Sequence, residues 1–333
     1  MRCVPEPTWA AHAGISLSSA EASIAAPFTS QTPNISCVPA VISEGRAALV
    51  TSFGVFQYMA GYSLTQFITV FLLYTLGSNL ADAQFLYIDL GLITMTAMFF
   101  GYTPACRKLS SLAPPTRLLS VPTMVSVVGQ LAVILAVQTV MFLWVKAQDW
   151  HKELVLHLED EEKASQEGTA LFFISGFQYI ALAISYSKGA PFRQGLHANK
   201  PLCVVLLVSI IVHACITLFS GPPPSGNLAL FNGTLSQVEE KSGGSWLNSF
   251  LELIPPPFFH PRLVILIVAV CTCIAAILFE RLVITKLYEY VRRRRQAARA
   301  RRDPSLATTR YERTLLTIGD GPSWVGVSAK EEE

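Results

Sequence analysis

Charge is what this sequence has least of. Only 14% of its 333 residues are Asp, Glu, Lys or Arg, against 51% hydrophobic, where soluble domains carry about 25% charged residues. With a mean hydropathy of +0.43, that deficit excludes a water-solvated globule and makes lipid the solvent for most of the chain. A secretion signal is missing too: MRCVPEPTWAAHAG has a single arginine, prolines and no apolar run, so the first true span is expected to direct insertion itself. Cysteines at metal-binding spacing are also lacking. The seven present (Cys3, Cys37, Cys106, Cys203, Cys215, Cys271, Cys273) are scattered. Even Cys271 and Cys273 point about 200° apart on a helix, which leaves them as small packing groups.

What is there in quantity is long apolar runs. A bilayer crossing takes about 20 residues, and six windows reach it: Phe53–Gly77, Asp82–Tyr102, Val121–Val145, Thr169–Ser187, Leu202–Ser220 and Pro261–Phe279. They predict an all-α membrane protein, six transmembrane helices in three hairpins over residues 51–288. Residues 1–50 form a short lead with a candidate helix over Cys37–Leu49. Residues 289–333 form a basic tail, polar and largely disordered beyond about residue 303. There is no internal repeat.

Loop charge orients the spans. Thr103–Ser120 carries Arg107, Lys108 and Arg117, and Lys188–Pro201 carries Lys188, Arg193 and Lys200; neither holds an acid. Lys146–Gly168 has seven acids against three lysines, and Gly221–His260 has three acids against one lysine. Lys and Arg stay in the cytosol, so both termini are expected there. Asn232 then lies in a lumenal loop, where its sequon can take a glycan, while the sequon at Asn34 stays cytosolic and bare. Arg292, Arg293, Arg294 and Arg295 follow the last span and suit anionic lipid headgroups such as phosphoinositides; a solvated helix face is the plainer reading. Nothing calls for a nucleic-acid partner.

Against this background the polar residues inside the windows stand out. An acid at mid-bilayer costs roughly 3 kcal/mol and marks ion or substrate paths by default. Asp89 follows Asp82 by seven residues, about two turns, so an α-helix puts both on one side. On the preceding span Tyr58, Tyr62, Thr65 and Gln66 recur at helical steps along one face. If these faces meet, they enclose a polar cleft whose oxygens spread along an axis. That lining suits an elongated amine better than a compact metal ion, which wants its oxygens converging on one point; tyrosine faces also attract cations. Asp82 equally fits a helix start, Tyr58 and Tyr62 equally fit packing, and Gln66 can bond a neighbouring backbone. Gln130, Gln138, Gln178 and His213 read as isolated helix–helix hydrogen-bonding groups.

Four motifs carry a resemblance: GISLSSAEASIAAPFTS, EGRAALVTSFGVFQYMAGYSLTQF, QFLYIDL and SKGAPFR. Together, in this order, they resemble the C-terminal part of type 5B P-type ATPases, over about residues 12–290. The resemblance implies that residues 1–50 are a remnant of the phosphorylation domain and its stalk, and that the six spans are core helices five to ten. It implies that Gln66 stands where such pumps keep an ion-binding acid on the fifth helix and Asp89 at a binding position of the sixth, with Tyr62 and Asp82 as further contacts on a polyamine route. It also implies transport of spermine or spermidine from lumen to cytosol, in the late endosome or lysosome membrane. The departures are as informative. DKTGT, TGE and a glycine-rich nucleotide motif are all absent from the chain, so no catalytic residue is assigned. ATP and Mg are expected only in the parent protein, because phosphoryl transfer needs a positioned nucleophile and metal. The chain is thus expected to be a fragment, short isoform or truncated gene model whose partner is the remainder of the pump or a full-length copy. The alternatives are a non-catalytic membrane protein regulating such a pump, an independent cation channel or carrier, or a piece of a P-type pump for another cation.

Overall fold

The computed structural model describes residues 14–18, 27–32, 34–110, 114–115, 117–151, 164–220 and 246–302, in two compact units, Met1–Phe279 and Glu280–Glu333. The first unit opens with two three-residue strands, β1 (Ile15–Leu17) and β2 (Phe28–Ser30), paired in parallel with Ile15 opposite Phe28. A single helix follows, α1 (Cys37–Tyr74). It joins the helix expected at Cys37–Leu49 to the first expected span, because Val50-Thr-Ser52 contains nothing that breaks the backbone ladder. Before it, the Asn34 side chain accepts from the Ser36 N–H at 3.0 Å. After it, Gly77 at φ 68° lets the Ser78 N–H return to the Leu73 carbonyl at 3.2 Å, the closure typical of glycine-ended helices.

Five helical stretches are long and apolar enough to cross a membrane: α2 (Asp82–Phe100), α3 (Val121–Lys146), α4 (Gln166–Tyr186), α5 (Lys200–Phe219) and Phe259–Arg294. The last begins as α7 (Phe259–Leu278), after the short α6 (Trp246–Phe250). Six crossings were expected. The stretch on α1 falls short of the same apolarity because Gln57, Tyr58, Tyr62 and Gln66 interrupt it.

The centre of the first unit is α4. Its span is 94% buried, against 28–33% for the other four, and it packs against α1, α3, α5 and α7. Small residues along it (Gly168, Ala170, Gly176, Ala181, Ala183) let neighbours approach closely, as membrane helix interfaces require. At Gly176 even a Cβ would overlap the His213 ring of α5. The outer faces are apolar, with Phe67, Leu90, Met98, Val140, Leu207 and Ile267 exposed.

Interior polar side chains bond between helices. Gln138 Nε2 donates to Gln178 Oε1 at 2.8 Å and Thr69 Oγ1 to Gln138 Oε1 at 3.1 Å, while Gln130 Nε2 reaches the Ala276 carbonyl at 2.9 Å. These are the helix–helix roles the sequence suggests for them. Gln138→Leu removes two of these bonds at once. Such bonds are worth about 0.6–1.7 kcal/mol in a membrane protein, so thermal unfolding in lipid nanodiscs should show a loss of about 1–2 kcal/mol.

At the end of the bundle that carries the basic loops, Ala105 and Arg193 form an antiparallel bridge. Arg193 is fully buried, not solvated as a loop arginine usually is. Its Nη2 donates to the Phe100 carbonyl at 2.8 Å and its guanidinium lies 5.4 Å from the Phe100 ring. Burial pushes its pKa down from the ordinary arginine value, yet a guanidinium keeps its charge in proteins. Asn199 Nδ2 holds the Phe99 carbonyl at 2.8 Å. The last carbonyls of α2 are therefore capped by side chains of the α4–α5 loop. Ser43 and Arg46 of α1 in turn donate to the Cys106 and Ser110 carbonyls.

In the second unit, α8 (Thr285–Arg302) carries the arginine run. Arg293 pairs with Glu289 at 3.9 Å, exposed, and Arg294 lies 5.5 Å from the Tyr290 ring. The Arg295 side chain, Asn232 and residues 303–333 lie outside the described residues.

Candidate functional site

The site is set by an irregularity in α2. Its α-helical ends, Asp82–Leu86 and Met95–Phe100, flank an eight-residue π-helical stretch, Tyr87–Thr94. Such turns are rare and occur frequently at functional sites. Two local features favour it here. Gly91 adds no side chain to the widened turn, and the Thr94 hydroxyl donates to the Asp89 carbonyl five residues back, at 2.6 Å.

On one side of this stretch, Asp89 Oδ1 accepts from the Tyr62 hydroxyl of α1 at 2.6 Å, a length typical of a charge-assisted bond. Both residues are half-buried. The Tyr62 ring meets Tyr179 of α4 edge-on, with centroids 5.8 Å apart. On the other side, Tyr87 stacks on His213 of α5 at 5.8 Å and meets Phe172 of α4 edge-on at 5.7 Å. His213 Nε2 lies 2.9 Å from the Phe173 carbonyl. A carbonyl only accepts, so Nε2 carries the proton and Nδ1 accepts from the Tyr87 hydroxyl at 3.2 Å.

The expected residues divide. Tyr62 and Asp89 are brought together. Gln66 is half-buried one turn along α1, and its side chain joins no hydrogen bond among the described residues. Tyr58 is buried and stacked on Phe100 at 6.3 Å, and Thr65 is buried with its hydroxyl on the Gly61 carbonyl at 2.7 Å. The common α1 face therefore splits into an inner and a half-open part. Asp82 is exposed in the first turn of α2 and bonds to none of the others. It is not the cap, which is Ala81, though a carboxylate there is favoured by the helix dipole. The seven-residue spacing assumed α-helix throughout, and the π stretch begins between the two acids. Tyr87 was not read from the sequence, and His213 was read only as an isolated helix–helix hydrogen-bonding group. No spacing rule links residues on separate helices, so no signal could have paired them.

These features define a polytopic helical membrane protein with a carboxylate–tyrosine pair half-open between its first two long helices. No family model matches the sequence. Curated proteins do. The chain is 57% identical over 212 residues to the probable cation-transporting ATPase catp-6 of Caenorhabditis elegans, covering 63% of this chain and 17% of that protein. It is 39% identical over 320 residues to the cation-transporting ATPase catp-5 of the same organism, covering 95% of this chain and 24% of that one. It is 47% identical over 218 residues to the polyamine-transporting ATPase 13A2 of Mus musculus, covering 64% and 19%. The homologues of this chain are P-type cation-transporting ATPases of type 5. It spans between 17% and 24% of the length of these three relatives.

Proposed function

We propose that this chain is the membrane part of an ATP-driven polyamine transporter that supplies half of its amine site. The observation that carries this reading is the half-open Tyr62–Asp89 pair at 2.6 Å on a π-helical turn. A carboxylate oriented by a phenol, with Gln66 beside it and Asp82 exposed at the head of the same helix, offers an elongated polycation successive partners. Tyr58, packed beneath on Phe100, backs this route. In this reading α1 makes the first of six crossings in three hairpins, both termini are cytosolic, and the membrane is that of the late endosome or lysosome. ATP and Mg are bound by the remainder of the pump, which also covers the open face.

The test is ATP hydrolysis by the complete pump carrying this chain. Spermine and spermidine are expected to stimulate it, and Ca²⁺, Mn²⁺ and Zn²⁺ are not. Stimulation by an inorganic cation alone would overturn the amine reading. The topology has its own check: Asn232→Gln should remove endoglycosidase-sensitive mass from the expressed chain, whereas Asn34→Gln should change nothing. The arginine run should hold α8 at anionic lipid. Each basic residue near such a surface contributes about 1 kcal/mol. Replacing Arg292, Arg293, Arg294 and Arg295 by Gln should therefore abolish energy transfer from a label on α8 to phosphoinositide headgroups.

A further inference from the structure

We propose that His213 is a positioning residue for Asp89, acting through Tyr87. Tyr87 and Asp89 are two residues apart in α2 and reach different neighbours, α5 and α1. Asp89 is bonded to α1 through Tyr62, and Tyr87 to α5 through His213. The helix between them is π-helical, a form that is rare and recurs at functional sites. Side chains of α1 and α5 both hold it, and the grip on the α5 side is Tyr87.

His213 suits that role for three reasons on the structure. It is fully buried, and its ring is confined between Phe172, Phe177 and the bare backbone of Gly176. Its Nε2–H is held by the Phe173 carbonyl, which leaves Nδ1 as an acceptor facing Tyr87. The imidazole is thus locked both in place and in tautomer by α4, and it transmits that fixed position to α2. The consequence is that Asp89 points at Tyr62 rather than along the lipid-facing side where its neighbour Leu90 lies exposed. His213 does not touch the proposed amine; it orients the group that does. In its functional consequence this inference rests on the amine-site reading, but its structural core does not.

The experiment keeps the two apart. The chain is reconstituted in lipid nanodiscs, and the Asp89 carboxyl band is isolated as the infrared difference between wild type and Asp89→Asn. Tyr62→Phe, which deletes the direct bond, sets the direction in which the band moves. Tyr87→Phe and His213→Leu are expected to move it in the same direction. His213→Gln, whose amide can donate to Phe173 and accept from Tyr87, is expected to restore it. If Tyr87→Phe and His213→Leu leave the band where wild type has it while Tyr62→Phe shifts it, the proposal is wrong. It is equally wrong if Tyr62→Phe moves nothing. Loss of outer partners weakens metal-site ligands by roughly tenfold or more. In the complete pump, Tyr87→Phe and His213→Gln should accordingly raise and restore the KM for amine respectively, on the order of tenfold, with kcat much less affected. An unchanged KM for Tyr87→Phe overturns the positioning role. Amine stimulation surviving in Asp89→Asn would instead overturn the amine-site reading and leave the infrared result standing.

Discussion

Asp89→Asn in the complete pump is expected to abolish amine-stimulated ATP hydrolysis while nucleotide binding survives. The substitution keeps the size of the side chain and an oxygen for Tyr62 to donate to, so the hydrogen bond at 2.6 Å can persist in weakened, neutral form. What disappears is the negative charge. Truncating one partner of a desolvated charge pair costs about 2–5 kcal/mol, roughly 30- to 4,000-fold in affinity at about 1.4 kcal/mol per tenfold. Among the described residues none stands in for it, because Asp82 is exposed in the first turn and does not bond to Asp89, and Gln66 carries no charge. Nucleotide binding is expected to be unaffected, because the proposed reading places it in the remainder of the pump. Full stimulation in Asp89→Asn, measured with purified protein across a range of spermine, would remove Asp89 from the site. Tyr62→Phe should give the milder version, a raised KM with hydrolysis retained.

Gly176→Val is expected to have the largest effect on stability. A Cβ at this position would already overlap the imidazole of His213, and α4 is the helix every other span packs on. Overpacking costs typically 1–3 kcal/mol, occasionally more, and here neither side can yield. His213 is held by Phe173 and Tyr87, and α4 is buried along nearly its whole length. The expected loss is at the upper end, about 3 kcal/mol, read as the midpoint of thermal unfolding in nanodiscs. His213→Ala in the same chain should recover part of it, since removing the ring opens the space the valine needs. A double variant no more stable than Gly176→Val alone would show that the clash lies elsewhere.

Much of this architecture was legible in the sequence, for a definite reason. Crossing lipid demands about 20 apolar residues in a row with every backbone group bonded within the helix. Composition and run length therefore locate five of the apolar helices: the windows at Asp82–Tyr102, Val121–Val145, Thr169–Ser187, Leu202–Ser220 and Pro261–Phe279 fall on the five long apolar helices of the structure. The continuity of α1 from Cys37 to Tyr74 was half legible: both parts read as helical, and no breaker lies between them. A carboxylate in an apolar run is anomalous whatever surrounds it, which is why Asp89 was identifiable on its own.

What depends on the tertiary structure is everything involving direction. An apolar helix surface looks alike whether it faces lipid or protein, so nothing in the composition of Gln166–Tyr186 distinguishes the buried centre from the outer spans. Helical spacing placed Tyr58 and Tyr62 on one face and Asp82 and Asp89 on another. Packing divided both pairs, sending Tyr58 onto Phe100 and leaving Asp82 exposed. Arg193, by composition a solvated loop charge, became the buried cap of α2. Chain composition and periodicity thus determined which segments are helices in lipid and that Asp89 needs a partner. Only the assembled bundle decided that the partner is Tyr62, because that choice depends on how α1 and α2 are packed against each other and against α4.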